Sequence, residues 1–360
     1  MAGIERKIRV LIVDDSLLIR NVLEKELNKN PAIEVVGTAA NPIEARTMIA
    51  SQRPDVLTLD IEMPKMNGLT FLRFLQKHNP IPVVVLSTLT PNSSVLALEA
   101  LRFGATEVMQ KPGGGSFLAL GRVIEQLVFK IKAAAVAERR NRPKPAINQP
   151  LSTCAEGIDR EIVIGIGAST GGTEALRYIL SRLPGNLPPI VVVQHMPEAF
   201  TAPFAESLNN CSQVRVVEAS QPIEMRSGLA VMARGGQHLV LARNLNSFRA
   251  VPQAGEPVCY QCPSVDVLFD SMARLAAPKI VGVILTGMGE DGAAGLLAMR
   301  QAGAATIAQD KATCVVFGMP KAAIECGAVQ HVLPLDKIPH AIISAAQSKS
   351  PSDTRDACFC

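Results

Sequence analysis

The feature that most constrains this chain is a recurrence of short, unbroken apolar runs rich in Val and Ile, each followed by a longer amphipathic stretch. A strand with one wet face alternates apolar and polar residues. Runs such as IPVVVLS (81–87) and VGVILT (281–286) do not alternate, so both faces of each must be covered. Strands of this kind interleaved with helices predict an α/β fold built on parallel sheets. Residues 1–128 hold five such units, with strands KIRVLIV, IEVVGTA, DVLTLD, IPVVVLS and EVMQKP and helices near 17–29, 42–51, 68–77, 92–102 and 116–131. That order suits a doubly wound, flavodoxin-like sheet. A second block, 158–348, offers strands IVIGIGA, PIVVVQ, RVVEA, LAVMA, LVLA, IVGVILT, ATIAQD and HVLPL, with helices near 172–182, 198–208, 264–276 and 292–302. Its larger sheet is expected to be mostly parallel, and the short strands around 229–251 are read as an antiparallel insertion. Residues 129–157 are basic, contain three prolines and lack apolar periodicity, which predicts a linker. Its start, KIKAAAVAERR, can continue the preceding helix, and 349–360 are read as a flexible tail.

Composition narrows the function classes. A net charge of +4 over 360 residues is too mild to imply a polyanion partner, and a chain with no Trp and two Tyr has no aromatic platform for nucleic acid. No apolar run is long enough to span a bilayer. Residues 1–7 lead directly into a strand without a signal-peptide core, so a cytoplasmic protein is expected. The eight cysteines are then expected to be mostly reduced thiols. CYQC (259–262) has zinc or redox spacing but no second pair at a partner spacing, so a metal site is not expected there.

In the first block, chemistry-bearing residues fall at the carboxyl ends of the strands, the edge where ligands of doubly wound sheets bind. Asp14 and Asp15 end the first strand, Asp60 the third, Ser87 the fourth and Lys111 the fifth. Any one acid there is an ordinary helix cap. Several together repel one another, and a hard cation bound through oxygens relieves this. Mg2+ suits the task, because it keeps waters and bridges to phosphate. The segments VDDS, DIEMPKMNG, VVVLSTL and QKP resemble the receiver domain of two-component response regulators over about residues 6–128. The resemblance implies that Asp60 accepts a phosphoryl group from a histidine kinase. It also implies that Asp15, Asp60 and the Glu62 backbone carbonyl hold Mg2+ with Asp14 nearby, that Ser87 reports phosphorylation, and that Lys111 pairs with the phosphoryl group.

In the second block, EIVIGIGASTGG (161–172) presents Ser169 at a strand-to-helix turn. A serine hydroxyl needs a base within hydrogen-bond reach. Of the five histidines only His195 ends a strand on the same edge. His238 and His331 precede their strands and are expected at the opposite ends; His78 lies in the first block and His340 in a terminal helix. Glu290 and Asp291, in the glycine-rich turn after VGVILT, are equally eligible as the orienting carboxylate, and Asp310 is a weaker third choice. A dinucleotide site fits poorly: the glycines are spaced G-x-G-x-x-x-G, and the second strand ends in Gln194-His195 where a ribose-binding acid belongs. An α/β-hydrolase also fits poorly, since its order is Ser, acid, His.

IGIGASTGG, VVVQHMP, PSVDVLF, GVILTGMGEDGAAG and CVVFGMP resemble the catalytic domain of the chemotaxis protein-glutamate methylesterase (CheB) family, from about 160 to 345. The resemblance implies a triad of Ser169, His195 and Asp291, with oxyanion donors at the Thr170 and Met288 backbone amides. It implies hydrolysis of glutamate γ-methyl esters on chemoreceptors, deamidation of receptor glutamines, and no cofactor for the esterase step. Control would come from the receiver, which should cover the cleft near Ser169 until Asp60 is phosphorylated. The partners expected are chemoreceptors and the chemotaxis histidine kinase, with membranes reached only through those receptors, no nucleic acid, and a monomeric enzyme. A DNA-binding regulator would instead carry a small domain with a basic reading helix. CYQC, the basic linker and the tail match no feature of the family.

Overall fold

The computed structural model describes residues 6–63, 67–88, 90–112, 117–137, 162–244, 247–275 and 280–347. Most of the linker and all of the tail after Lys349 lie outside these residues.

The first half is a five-stranded parallel sheet of β1 (Ile8–Val13), β2 (Ile33–Ala39), β3 (Val56–Asp60), β4 (Val83–Ser87) and β5 (Glu107–Gln110), in the order β2-β1-β3-β4-β5. Successive side chains point to opposite faces, and both faces are covered. Leu11, Val13, Leu57, Leu59, Val83 and Val85 meet Leu72 and Leu75 of α3 (Gly68–His78) and Ala97 and Ala100 of α4 (Pro91–Arg102). Val10, Ile12, Val84 and Leu86 meet α1 (Leu17–Leu27) and α5 (Phe117–Val136). This two-sided burial is why the strands read as continuous apolar runs. Local chemistry sets the helix starts. Thr90 caps α4 from its hydroxyl, and Pro91 supplies the fixed φ suited to the first helical position. Helix α5 runs to Val136, so the KIKAAAV stretch continues it into what was read as linker.

The second half is a seven-stranded sheet of β6 (Val163–Ala168), β7 (Ile190–Gln194), β8 (Arg215–Ala219), β10 (Leu229–Ala233), β13 (Ile280–Ile284), β14 (Ala305–Gln309) and β15 (His331–Leu333). Their order is β15-β14-β13-β6-β7-β10-β8, with every pairing parallel. The antiparallel part is separate: β9 (Ile223–Glu224), β11 (His238–Asn244) and β12 (Ser247–Gln253), in the order β11-β12-β9. This corrects one expectation. LAVMA, read as the first strand of the insertion, is β10 and lies between β7 and β8 in the parallel sheet, with all five residues buried.

Helices α6 (Gly172–Leu180), α7 (Glu198–Asn209), α8 (Val265–Ala273), α9 (Ala293–Gln301), α10 (Met319–Glu325) and α11 (Ile338–Ala346) complete the layers. Helix α10, not foreseen in the sequence, follows the turn CVVFG. The glycines of EIVIGIGASTGG serve packing. A Cβ at Gly167 would come 2.3 Å from Val265 of α8, and one at Gly165 would come 2.6 Å from Met272 Sδ. Helix α8 therefore lies almost on the backbone of β6. The halves meet where α4 packs on α6 and α7, and one apolar cluster runs from the first sheet through these helices into the second.

Candidate active site

Strand β6 is the switch point of the second sheet, with β7 on one side and β13 on the other. Chain crossovers leave opposite faces there, which opens a crevice at the carboxyl ends. Ser169 follows β6, His195 follows β7, and Asp291 lies in the turn after β13, so three adjacent strands deliver the three residues. All are buried, Ser169 at 6%, His195 at 7% and Asp291 at 2% exposure. The alternatives separate cleanly. Glu290 points to solvent, and Asp310 is occupied by the amide and hydroxyl of Thr313.

Asp291 is held from one direction by the amino end of α8. The Ser264 hydroxyl donates to Oδ1 at 2.7 Å, the Val265 amide to Oδ2 at 2.8 Å and the Asp266 amide to Oδ1 at 3.0 Å. From the other direction His195 Nε2 lies 2.7 Å from Oδ2. Burial works against ionisation of Asp291. The hydrogen bond and charge of His195, with the Asp266 amide and the Ser264 hydroxyl, outweigh it and hold the carboxyl below its ordinary value. An ionised acceptor at Nε2 places the hydrogen there and leaves Nδ1 with the free lone pair. Nδ1 is buried and has no hydrogen-bond partner among the described residues. The ring is thus turned the other way from a chymotrypsin-type triad, in which Nδ1 faces the acid.

The Ser169 turn is pinned on both sides. Its amide donates to the Thr286 carbonyl at 3.0 Å, and Gln194 Nε2 donates to the Ser169 carbonyl at 3.0 Å and the His195 carbonyl at 3.2 Å. Gly171 adopts φ +77°, the left-handed conformation that turns the chain into α6. The amides of Thr170 and Met288 donate to no described residue, as oxyanion donors must be free to do.

The first half covers this site. Leu101, Thr106, Glu107 and Val108 form one wall of a crevice whose other wall includes Ser169, Gly171, Gln194 and His195. The free space between them admits about one water. Glu107 is neutralised from its own side by Lys130 at 2.6 Å, and the Phe129 ring lies against Gly289, next to Met288.

In the first half, Asp14, Asp60 and Lys111 converge at the carboxyl edge. Lys111 Nζ is 2.9 Å from Asp14 and 2.7 Å from Asp60. Burial, helped by the Asp14 charge, pushes the Asp60 pKa up to about 6 despite the opposing pull of Lys111 and the Glu62 amide. Carboxylate oxygens of Asp14, Asp15 and Asp60 lie within 4.8 Å of one another. An all-oxygen set with a carboxylate reluctant to ionise fits a hard divalent cation. Ser87 is buried, with its hydroxyl on the carbonyls of Ser93 and Thr88. The Glu62 side chain turns away to Ser93 and Thr88, whose hydroxyls lower its pKa.

Sequence reasoning missed Gln194, Ser264 and Thr286, and it misplaced His238. That histidine was expected at the opposite end of the fold, but it accepts a hydrogen bond from the Ser264 amide, next to Asp291. The strand-end rule failed because β11 belongs to the separate antiparallel sheet, whose ends do not follow the parallel edge. CYQC is a tight turn bridged by Val258 and Gln261 with both thiols free. Cys259 lies near Asp266 and Asp291, whose charges add to burial in raising its pKa.

Two family models match the chain: the CheB methylesterase over residues 164–342 and the response regulator receiver domain over residues 10–119. A protein-glutamate methylesterase/protein-glutamine glutaminase of Syntrophus aciditrophicus is 47% identical over 342 residues, covering 94% of this chain and 98% of the relative. One from Anaeromyxobacter dehalogenans is 48% identical over 342 residues, covering 95% and 96%. The crystal structure of the Thermotoga maritima CheB methylesterase catalytic domain aligns with a TM-score of 0.50 at 41% identity, over 51% of this chain and 97% of that one. With both halves matched in order and the relatives covered almost end to end, the chain belongs to the CheB family of receiver-linked protein-glutamate methylesterase/protein-glutamine glutaminases.

Proposed function

We propose that this protein hydrolyses glutamate γ-methyl esters on chemoreceptors and deamidates receptor glutamines, and that phosphorylation of Asp60 switches it on. The observation that carries the reading is the buried His195–Asp291 pair beside Ser169, under a wall made by the receiver half. The chain works as two units. A receiver, residues 1–128 with the end of α5, is joined through a linker to a catalytic unit at 158–348.

Ser169 Oγ attacks the ester carbonyl while His195 Nδ1 takes its proton. Asp291, already ionised and fixed by α8, stabilises the imidazolium that results. The Thr170 and Met288 amides receive the oxyanion; one such donor is typically worth about 3 kcal/mol of barrier. His195 returns the proton to the departing methoxy oxygen and methanol leaves. Water then attacks the acyl-enzyme, with Nδ1 again taking the proton, and releases glutamate and Ser169. With a glutamine substrate the same cycle expels ammonia.

Asp60 is the phosphoacceptor for a histidine kinase. Asp15, Asp60 and the Glu62 carbonyl, with Asp14 beside them, would hold Mg2+, which would supply neutralisation of the gathered negative charge. Lys111 is freed from its carboxylate pairs to meet the phosphoryl oxygens, and Ser87 exchanges its carbonyl partners for one of them. Because Ser87 bonds to Ser93 on α4, and α4 packs on α6 and α7, that exchange loosens the wall over Ser169. The enzyme acts in the cytoplasm and reaches membranes only through its receptors; no described helix is long and apolar enough to cross one.

The test is methanol release from methylated receptor membranes with and without a small phosphodonor. Ser169→Ala should lose at least about 1,000-fold in kcat yet still be phosphorylated. Retained esterase activity would refute the triad, and an unchanged phosphodonor response in Asp60→Ala would refute the switch.

A further inference from the structure

We propose that His238 is a positioning residue of this active site: it anchors the amino end of α8, from which that helix fixes Asp291. The inference rests on the reading of Asp291 as the triad acid. His238 is buried at the start of β11, and β11 packs along α8. Its Nδ1 lies 3.1 Å from the Ser264 amide, which can only donate, so Nδ1 is the acceptor. Its Nε2 lies 2.9 Å from the Glu256 carbonyl, which can only accept, so Nε2 carries the hydrogen. Both nitrogens are committed, and the ring is a neutral bridge between the 254–257 loop and the cap of α8. A Cβ at Gly255 would come 2.7 Å from the ring, so the loop closes tightly over it.

What the bridge holds is specific. The Ser264 hydroxyl and the Val265 and Asp266 amides all bond to Asp291. Within 264–266 the Ser264 amide is the donor that Asp291 does not use, and it goes to His238. The imidazole therefore fixes the backbone from which all three Asp291 donors project. His238 reaches the chemistry only through Ser264, Asp291 and His195 in turn. A shift of the α8 end by a fraction of an ångström turns the carboxylate, and with it the His195 ring, relative to Ser169.

Two substitutions separate this role from a packing role. In His238→Asn the carboxamide oxygen stands near the place of Nδ1 and keeps an acceptor for the Ser264 amide. In His238→Gln the longer amide reaches the Glu256 carbonyl but leaves the Ser264 amide unmatched. Methanol release from methylated receptor membranes, measured on the full chain with acetyl phosphate present, should show Asn within about 5-fold of the parent kcat. Gln should lose roughly 10–100-fold in kcat with KM within about 3-fold. Equal kcat values for the two, whether both high or both lost through unfolding, or the reverse order, would overturn the proposal. Asp291→Asn and Ser169→Ala are run alongside. If they keep activity, the triad reading has failed. If they lose it while His238→Gln keeps the parent kcat, the positioning role alone has failed.

Discussion

At the residue scale, the charged groups divide into those made comfortable by the fold and those left uneasy. Asp291 is surrounded by donors and held ionised, whereas Asp60 is buried beside Asp14 with a pKa near 6. A folded pKa raised above the ordinary 3.8 means that ionised Asp60 costs stability. The sign follows: the cost is fully present above about pH 6, fades as pH falls toward 3.8, and is absent below. Asp60→Asn should therefore raise thermal stability at pH 8 by an amount on the order of 1–3 kcal/mol, part of the gain being offset by the loss of a Lys111 partner. The gain should shrink at pH 4.5. Equal gains by thermal melting at both pH values would contradict this account. The choice between Glu290 and Asp291 belongs to the same scale. Adjacent acids in one turn are indistinguishable by periodicity; they separate only because α8, some 25 residues earlier, points its amides at the second.

At the element scale, the strand ends were legible because strands buried on both faces leave continuous β-branched runs, and chemistry gathers where those runs stop. Sheet membership was less legible. LAVMA is followed by Arg-Gly-Gly, which looks like a hairpin turn; its place in the parallel sheet is decided by pairing with β7, about 40 residues earlier. His238 was misplaced for a related reason, since its position depends on which sheet β11 joins. The packing of α8 on β6 is equally hidden in sequence and equally consequential. Gly167→Ala would drive a methyl into Val265, next to the cap that holds Asp291. It should cost about 1–3 kcal/mol of stability and lower kcat more than KM. Gly165→Ala meets the flexible end of Met272 and should cost less. Calorimetry and steady-state kinetics on both variants check the order, and a harmless Gly167→Ala would show that α8 has room to move.

At the scale of the whole molecule, the receiver half sits on the crevice beside Ser169 through α4 and β5, with Phe129 of α5 against Gly289. Leu101 is 8% exposed between the halves. Leu101→Glu puts an unpaired charge there, which only release of the receiver can hydrate. Basal methanol release without phosphodonor should rise at least about 5-fold, while phosphorylated activity stays within about 2-fold. A fall in basal activity would argue against simple covering. Removing residues 1–137 should act in the same direction.

The crevice between the halves admits no more than a water beside Ser169. Seen from the chemist's side, and on the proposed function, this makes Ser169 a reporter. A serine-directed phosphonate should be kept out while the wall stands, so its labelling rate should measure the fraction of molecules in which the wall has parted. Labelling followed in time, as phosphodonor is added and exhausted, would trace the signalling state of this enzyme without receptor, methanol assay or antibody.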